Sequence, residues 1–299
     1  MAGGLVAGGM VSDPPEMARR VFGARLELAA AYVELLVTTG IDHGLVGPRE
    51  APRMWERHVV NCALAAPAFQ PDAEVADLGT GAGLPGLVLA IARPDLRLHL
   101  IEPLHRRIVW LERTVELLAL ENVVLLEGRA EVYAGRLAVR HTTARAVARL
   151  DALSRWSAPL LAPGGSLVAL KGFGAAAELA ADWPAMRRAG ARAARVCGYG
   201  ERGLLWSNSV APDDLPQSNA PLTGAGVGGE SWAGAASGSD KPVTDEGSED
   251  DVTRVVVVDF AHGPARQVRH ERTGGQSRRA SERARSRSGA ERPRRTQGR

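Results

Sequence analysis

The segment Glu74-Val75-Ala76-Asp77-Leu78-Gly79-Thr80-Gly81-Ala82-Gly83-Leu84-Pro85-Gly86 carries the densest chemistry in this 299-residue chain. A short apolar run ends in an acid, four glycines follow within eight positions, and an apolar stretch, 87–92, begins at once. Glycines at this spacing let the backbone turn tightly and let a ligand press against bare main chain. A helix starting there offers N–H groups to a carboxylate or phosphate. A second acid, Glu102, closes the next apolar run, 96–101. An acid in that place can accept both hydrogen bonds of a ribose diol. A nucleotide-like cofactor is the expectation, because a plain turn need not give up the backbone entropy of four glycines.

Two cofactor classes fit. Gly81-x-Gly83-x-x-Gly86 satisfies the dinucleotide fingerprint, which is unspecific on its own. Asp77, two residues before Gly79, favours S-adenosylmethionine, whose enzymes place an acid there near the methionyl end. The competing reading, an NAD-dependent oxidoreductase, lacks a visible catalytic Tyr-Lys pair and a separate substrate domain.

The elements that must position these residues alternate. Apolar residues at helical spacing (Val21, Leu28, Tyr32, Leu35, Leu36) predict a helix over 16–38, and a second helix is expected after Pro48 with Trp55, Val59, Cys62 and Leu64. Strands are predicted at 74–78, 96–101, 123–127, 143–148, 166–171 and 193–199, with helices at 85–92, 105–120, 150–161 and 175–189 between them. Such alternation implies a parallel sheet covered on both faces, an α/β Rossmann-like fold with a small helical N-terminal extension. The run Val252 to Phe260 is a further strand, expected to return to the same sheet. The domain plan is a flexible N-terminus (1–15), N-terminal helices (16–70), the Rossmann-like domain (71–207), an acidic disordered insertion (208–251), the last strand (252–262) and a basic disordered tail (263–299).

Charge follows that plan. The formal net charge of +3 hides 12 Arg against 3 Glu in 263–299, and 9 acids against Lys241 in 208–251. The two cysteines, Cys62 and Cys197, share no metal-ligand spacing, so neither a disulfide framework nor a metal site is expected. The first ten residues lack a basic leader with a long apolar core, so no signal peptide is expected. No apolar run approaches the roughly 20 residues that cross a bilayer. A cytoplasmic monomer without membrane contact is the expectation.

Several further elements resemble the RsmG (GidB) family of bacterial 16S rRNA guanine-N7 methyltransferases. They are Trp55-Glu56-Arg57-His58, the glycine segment Asp77 to Gly86, Arg106-Arg107 with Leu111, Gly128-Arg129-Ala130-Glu131, Ala144-Arg145-Ala146-Val147 and Ala169-Leu170-Lys171-Gly172. Their order and spacing from about residue 25 to 200 carry the resemblance. It implies a S-adenosyl-L-methionine-dependent methyltransferase sheet, with 16S rRNA or the small ribosomal subunit as partner. By carry-over, Gly79, Leu84, Ala130, Glu131 and Arg145 bind the cofactor; the physical argument adds Asp77, Gly81, Gly83 and Glu102. Lys171, Arg106, Arg107 and His58 are candidates for RNA contact. Two stretches depart from the family: Val59-Val60-Asn61-Cys62 stands where Ile-Leu-Asp-Ser is usual, and Arg140 stands where Asp is usual.

Guanine N7 carries an in-plane lone pair and no proton, so it attacks a sulfonium methyl without a general base. Positioning is then the enzyme's task, and no catalytic acid or base is nominated. A non-enzymatic alternative is an RNA-binding or ribosome assembly factor on the same fold. The Arg-rich tail would add salt-dependent, sequence-blind RNA affinity.

Overall fold

Apolar runs and helical segments condense around one sheet in the computed structural model, which describes residues 12–200, 202–209 and 252–261. Among these residues eight strands form: β1 (Glu74–Leu78), β2 (Arg97–Glu102), β3 (Val123–Glu127), β4 (Val139–Arg145), β5 (Leu161–Lys171), β6 (Ala191–Gly200), β7 (Gly203–Ser209) and β8 (Thr253–Phe260). Their order is β3-β2-β1-β4-β5-β8-β6-β7. The first five are parallel, and β8 enters antiparallel between β5 and β6. The chain runs outward from β1 to β3 and then returns to β4 on the other side. Strand order thus reverses between β1 and β4, which opens a crevice at their C-terminal ends.

The helices are α1 (Glu16–Phe22), α2 (Leu26–Leu35), α3 (Asn61–Ala63), α4 (Gly86–Ala92), α5 (His105–Leu117), α6 (Leu150–Ser157) and α7 (Ala175–Arg188). They divide between the faces of the sheet. One core joins α1, α2, α4 and α5 to Val75, Leu98, Leu100, Val168, Val255 and Val257. The other joins α6 and α7 to Ala76, Leu78, Ile101, Leu167, Val256 and Val258. Successive valines of β8 serve opposite faces, so a strand covered on both sides reads as a continuous apolar run rather than an alternating one.

The structure corrects several expectations. The helix read over 16–38 breaks at Gly23, whose φ of +50° ends α1; α2 then continues to Gly40 through wider, π-type turns. The segment after Pro48 is a run of 3-10 turns to Arg53 and π-type turns over Met54–Val60, leading into α3. The fourth strand runs over Val139–Arg145 rather than 143–148: polar His141, Thr142 and Thr143 are paired inside the sheet, and Arg140 sits at a register shift between Val139 and His141. Here His141 bonds the Ser166 hydroxyl (2.9 Å) and accepts from the Gln70 N–H (3.3 Å). Burial, with Arg140 beside it, lowers the His141 pKa to about 4, so it stays neutral and can accept. Strand β7 carries no strong periodicity, and it runs through Asn208 and Ser209, two residues past the expected end of the domain. The segments 1–11, 210–251 and 262–299, with the acidic insertion and basic tail, lie outside the described residues.

One close approach sets how α4 leaves the sheet. A Cβ at Gly86 would fall into Leu100 and 2.7 Å from Asp77 Oδ2. Gly86→Ala is therefore expected to cost about 1–3 kcal/mol of unfolding free energy by urea titration. An unchanged midpoint would show that α4 can shift away from β2.

Candidate active site

Four parallel strands bring their C-terminal ends to one edge of the sheet, and each ends at or beside a residue singled out by the sequence: Asp77 near the end of β1 with Gly79 just after it, Glu102 ending β2, Arg145 ending β4 and Lys171 ending β5. At the crevice between β1 and β4 lies a cleft of about 580 Å³, whose walls include Gly79, Thr80, Gly81, Ala82, Leu84, Glu102, Leu104, Arg107, Arg145 and Val147, with Leu45 and His58 from the N-terminal segment. Its size suits a nucleoside-sized ligand.

The glycine loop is held from behind. Asp77 is fully buried, and its Oδ2 accepts the Gly86 N–H at 2.9 Å. The first N–H of α4 is thus committed to Asp77, not offered to a ligand as the sequence suggested. Gly79, Gly81 and Gly83 take φ values of +68°, +61° and +94°, a backbone that other residues adopt only with strain. From the other side the Tyr32 hydroxyl donates to the Ala82 carbonyl at 2.7 Å, so α2 also fixes the loop. Sequence reasoning placed Tyr32 only on an apolar helix stripe, since nothing local marks a hydroxyl that acts across 50 residues.

Glu102 is almost wholly buried, yet its carboxylate borders the cleft. It accepts from Gly81 N–H and Leu104 N–H, each at 3.1 Å, and from Arg107 at 3.4 Å. Arg107 is thereby drawn to the carboxylate, whereas Arg106 is exposed and does not line the cleft. Ala130 and Glu131 fall in the turn after β3: Ala130 is buried in the second core, Glu131 is exposed, and neither lines the cleft. Gly83 and Asp77 lie behind the loop rather than on its ligand side.

On the opposite wall Arg145 reaches back to the N-terminal segment. It donates to His58 Nδ1 (2.6 Å), to the Arg57 carbonyl (3.1 Å) and to Cys62 Sγ (3.3 Å). A guanidinium can only donate, so His58 Nδ1 accepts and Nε2–H is given to Glu50 Oε2 at 2.7 Å. Burial lowers the His58 pKa against the opposing pull of Glu50. The chain Glu50–His58–Arg145 therefore positions the arginine with a neutral imidazole. The next residue, Ala146, has φ +56°, an unusual conformation for a residue with a side chain, at a lining position of the cleft.

Behind Arg145 and Ala146 a second hollow of about 820 Å³ opens, lined among others by Arg53, Arg57, Lys171, Phe173 and Arg254. Lys171 is already engaged, with Nζ 2.8 Å from Glu178 and 2.9 Å from the Ala148 carbonyl. Arg140 lies far down β4, away from this edge, where it bonds Gln70 (2.7 Å) and the Gly164 carbonyl (2.6 Å). The departure at Arg140 is thus absorbed at the opposite end of the strand from the cleft.

The residues fit a nucleoside that carries an amino-acid end. A carboxylate for hydroxyls, apolar Leu104, Val147 and Leu84 for a base, and a Gly79 whose Cβ would crowd Val147 at 3.1 Å together make a thin, polar-ended slot. Asp77 and Thr80 are buried beside one another, and Thr80 lines the cleft. Burial raises the Asp77 pKa from 3.8 to about 7, opposed by the Thr80 side chain and the Gly86 N–H. A carboxyl whose folded pKa is raised favours the native state while protonated, so its contribution falls as pH rises from about 4 to about 7 and then levels off. The stability difference between wild type and Asp77→Asn, from urea unfolding, is expected to move against the wild type across that window, by a few kcal/mol at most. A difference that stays flat would show Asp77 to be solvated.

A family model described as rRNA small subunit methyltransferase G (GidB) matches residues 25–203. Curated proteins named Ribosomal RNA small subunit methyltransferase G are similar over the same region. That of Paenarthrobacter aurescens is 50% identical over 185 residues, covering 61% of this chain and 86% of the relative. That of Salinispora arenicola is 52% identical over 201 residues (63% and 83%), and that of Thermobifida fusca is 54% identical over 166 residues (56% and 70%). Because that family model spans more than half of the chain, the chain belongs to the GidB family of small-subunit rRNA methyltransferases.

Proposed function

We propose that this protein transfers a methyl group from S-adenosylmethionine to N7 of a guanine in 16S rRNA. The observation that carries the reading is the cleft at the β1/β4 reversal, where the glycine loop, Glu102 and Arg145 converge from three strands. When bound, S-adenosylmethionine supplies an electrophilic methyl on a sulfonium, which N7 takes without losing a proton.

The chain's own residues then have positioning roles. Glu102, held by two backbone N–H groups, presents its remaining lone pairs to a ribose diol. The glycine loop brings backbone against the ligand, and Thr80 offers polar contact at the amino-acid end. Leu104 and Val147, 42% and 39% exposed, cover the base and exclude water. Arg145, fixed by His58 and Glu50, sits between the two hollows and orients the acceptor; holding donor and acceptor in line is where the rate comes from. No side chain takes a proton, and His58 has both ring nitrogens committed.

Among the described residues no helix is long and apolar enough to cross a membrane. We place the protein's action in the cytoplasm, as a monomer on the small subunit.

Three measurements test this. Incubation of small ribosomal subunits with methyl-labelled S-adenosylmethionine should yield 7-methylguanosine in digested 16S rRNA; label on another base, or none, overturns the reading. Glu102→Ala should weaken cofactor binding by about 10- to 100-fold in calorimetry, the scale of losing hydrogen bonds to a charged group. In single-turnover assays the methyl-transfer rate should show no titration assignable to one side chain.

A further inference from the structure

The second hollow differs in chemistry from the cofactor cleft. Five cationic side chains (Arg53, Arg57, Arg145, Lys171 and Arg254) line it, against the single carboxylate of Glu56. Two of the five are already engaged: Lys171 with Glu178, and Arg145 with His58 and backbone carbonyls. Among the described residues Arg53 and Arg254 have no carboxylate within ion-pair distance, and Arg57 has only an exposed contact of 3.4 Å to Glu50. Phe173 stands on the same wall. It is 66% exposed, an unusual cost for a large apolar ring, and the Arg254 guanidinium lies over it, 3.9 Å from the ring centroid.

The fold builds this arrangement from distant parts of the chain. Lys171 ends β5, and Phe173 follows two residues later, ahead of α7. Arg254 lies beside them because β8 pairs antiparallel with β5, with Lys171 opposite Arg254. The Thr253 hydroxyl, donating to the Asn61 carbonyl at 2.6 Å, clamps that end of β8 to the N-terminal segment. The guanidinium is therefore carried on a sheet strand, and the ring on the turn that follows β5. The hollow shares Arg145 and Ala146 with the cofactor cleft, so a ligand filling it lies next to the methyl donor's site.

Resting on the methyltransferase reading above, we propose that this hollow binds an unpaired nucleotide of the RNA substrate. Phe173 and Arg254 form a stacking platform for its base, and Arg53 and Arg57 hold backbone phosphates. An exposed aromatic ring stacks on any base, and a guanidinium layered on the ring adds positive charge and a second planar surface. Phosphates are drawn to the arginines that lack strong ion pairs. An acidic protein surface would use the cations but gain nothing from an exposed ring, which is why a nucleic acid is the occupant. Lys171 thereby leaves the set of phosphate ligands and anchors Ala148 and α7 instead.

The test uses the full chain, labelled S-adenosylmethionine and small subunits from cells lacking the modification. Phe173→Ala should raise KM for the subunit by about 10- to 100-fold, with kcat and cofactor affinity within about twofold of wild type. Phe173→Trp should restore KM, because a larger ring stacks as well. Arg53→Ala should weaken binding and reduce its salt dependence. A Phe173→Ala variant with unchanged KM, while the wild type transfers methyl, overturns the platform and leaves the methyltransferase reading standing. So does a Phe173→Trp variant as impaired as Phe173→Ala. A wild type that transfers no methyl overturns both.

Discussion

A buried carboxylate holding the first N–H of a helix is the constraint on which this structure turns. Asp77 lies at the end of the central strand and fixes Gly86 where α4 touches β2 with no space for a Cβ. Between those two fixed points the chain must turn within eight residues, and it does so through three glycines at positive φ. The loop is thus a strut stretched between a strand and a helix, and its shape is preset. A ligand meeting such a loop need not pay to order it, which is where preorganised sites gain affinity. The carboxylate's raised pKa follows from the same arrangement: it is buried to hold the strut, and burial disfavours its charge.

The N-terminal segment completes the site rather than merely covering the sheet. Tyr32 bonds the glycine loop, and His58 with the Arg57 carbonyl holds Arg145 at the end of β4. Trp110 of α5 bonds Thr39 just past α2, so the same segment is fastened to the helix that follows Glu102. Each of these bonds spans many residues in sequence and joins the extension to a different wall of the cleft. The π-type turns over Met54–Val60 belong to this logic, since π-turns concentrate where backbone is shaped for function.

The polar content of β4 also has a physical account. Arg140 and His141 look out of place in a central strand, but both are satisfied at its N-terminal end, through Gln70, Gly164 and Ser166. Buried polar groups are tolerated where they find partners, as these two do. The two ends of β4 therefore do separate jobs: one closes the bottom of the sheet, and the other delivers Arg145 to the ligand edge.

Local sequence determined the strands β1 and β3 to the residue, the alternation that forces a parallel sheet, and the acids at the ends of β1 and β2. These follow from short-range physics: apolar runs, glycine backbone freedom, and helix periodicity. It did not determine that Gly86 N–H would be spent on Asp77, that Arg106 and Arg107 would part ways, or that Ala130 and Glu131 would stand off the cleft walls. Nor did it reveal Tyr32 and Phe173 as site residues, because each acts through neighbours brought up by the sheet. Arg254 is the extreme case. It is separated by 83 positions from Lys171, and only the antiparallel pairing of β8 with β5 sets the two side by side. Local chemistry is written in the chain, but the meeting of distant side chains depends on strand order and register, which only the packed sheet decides.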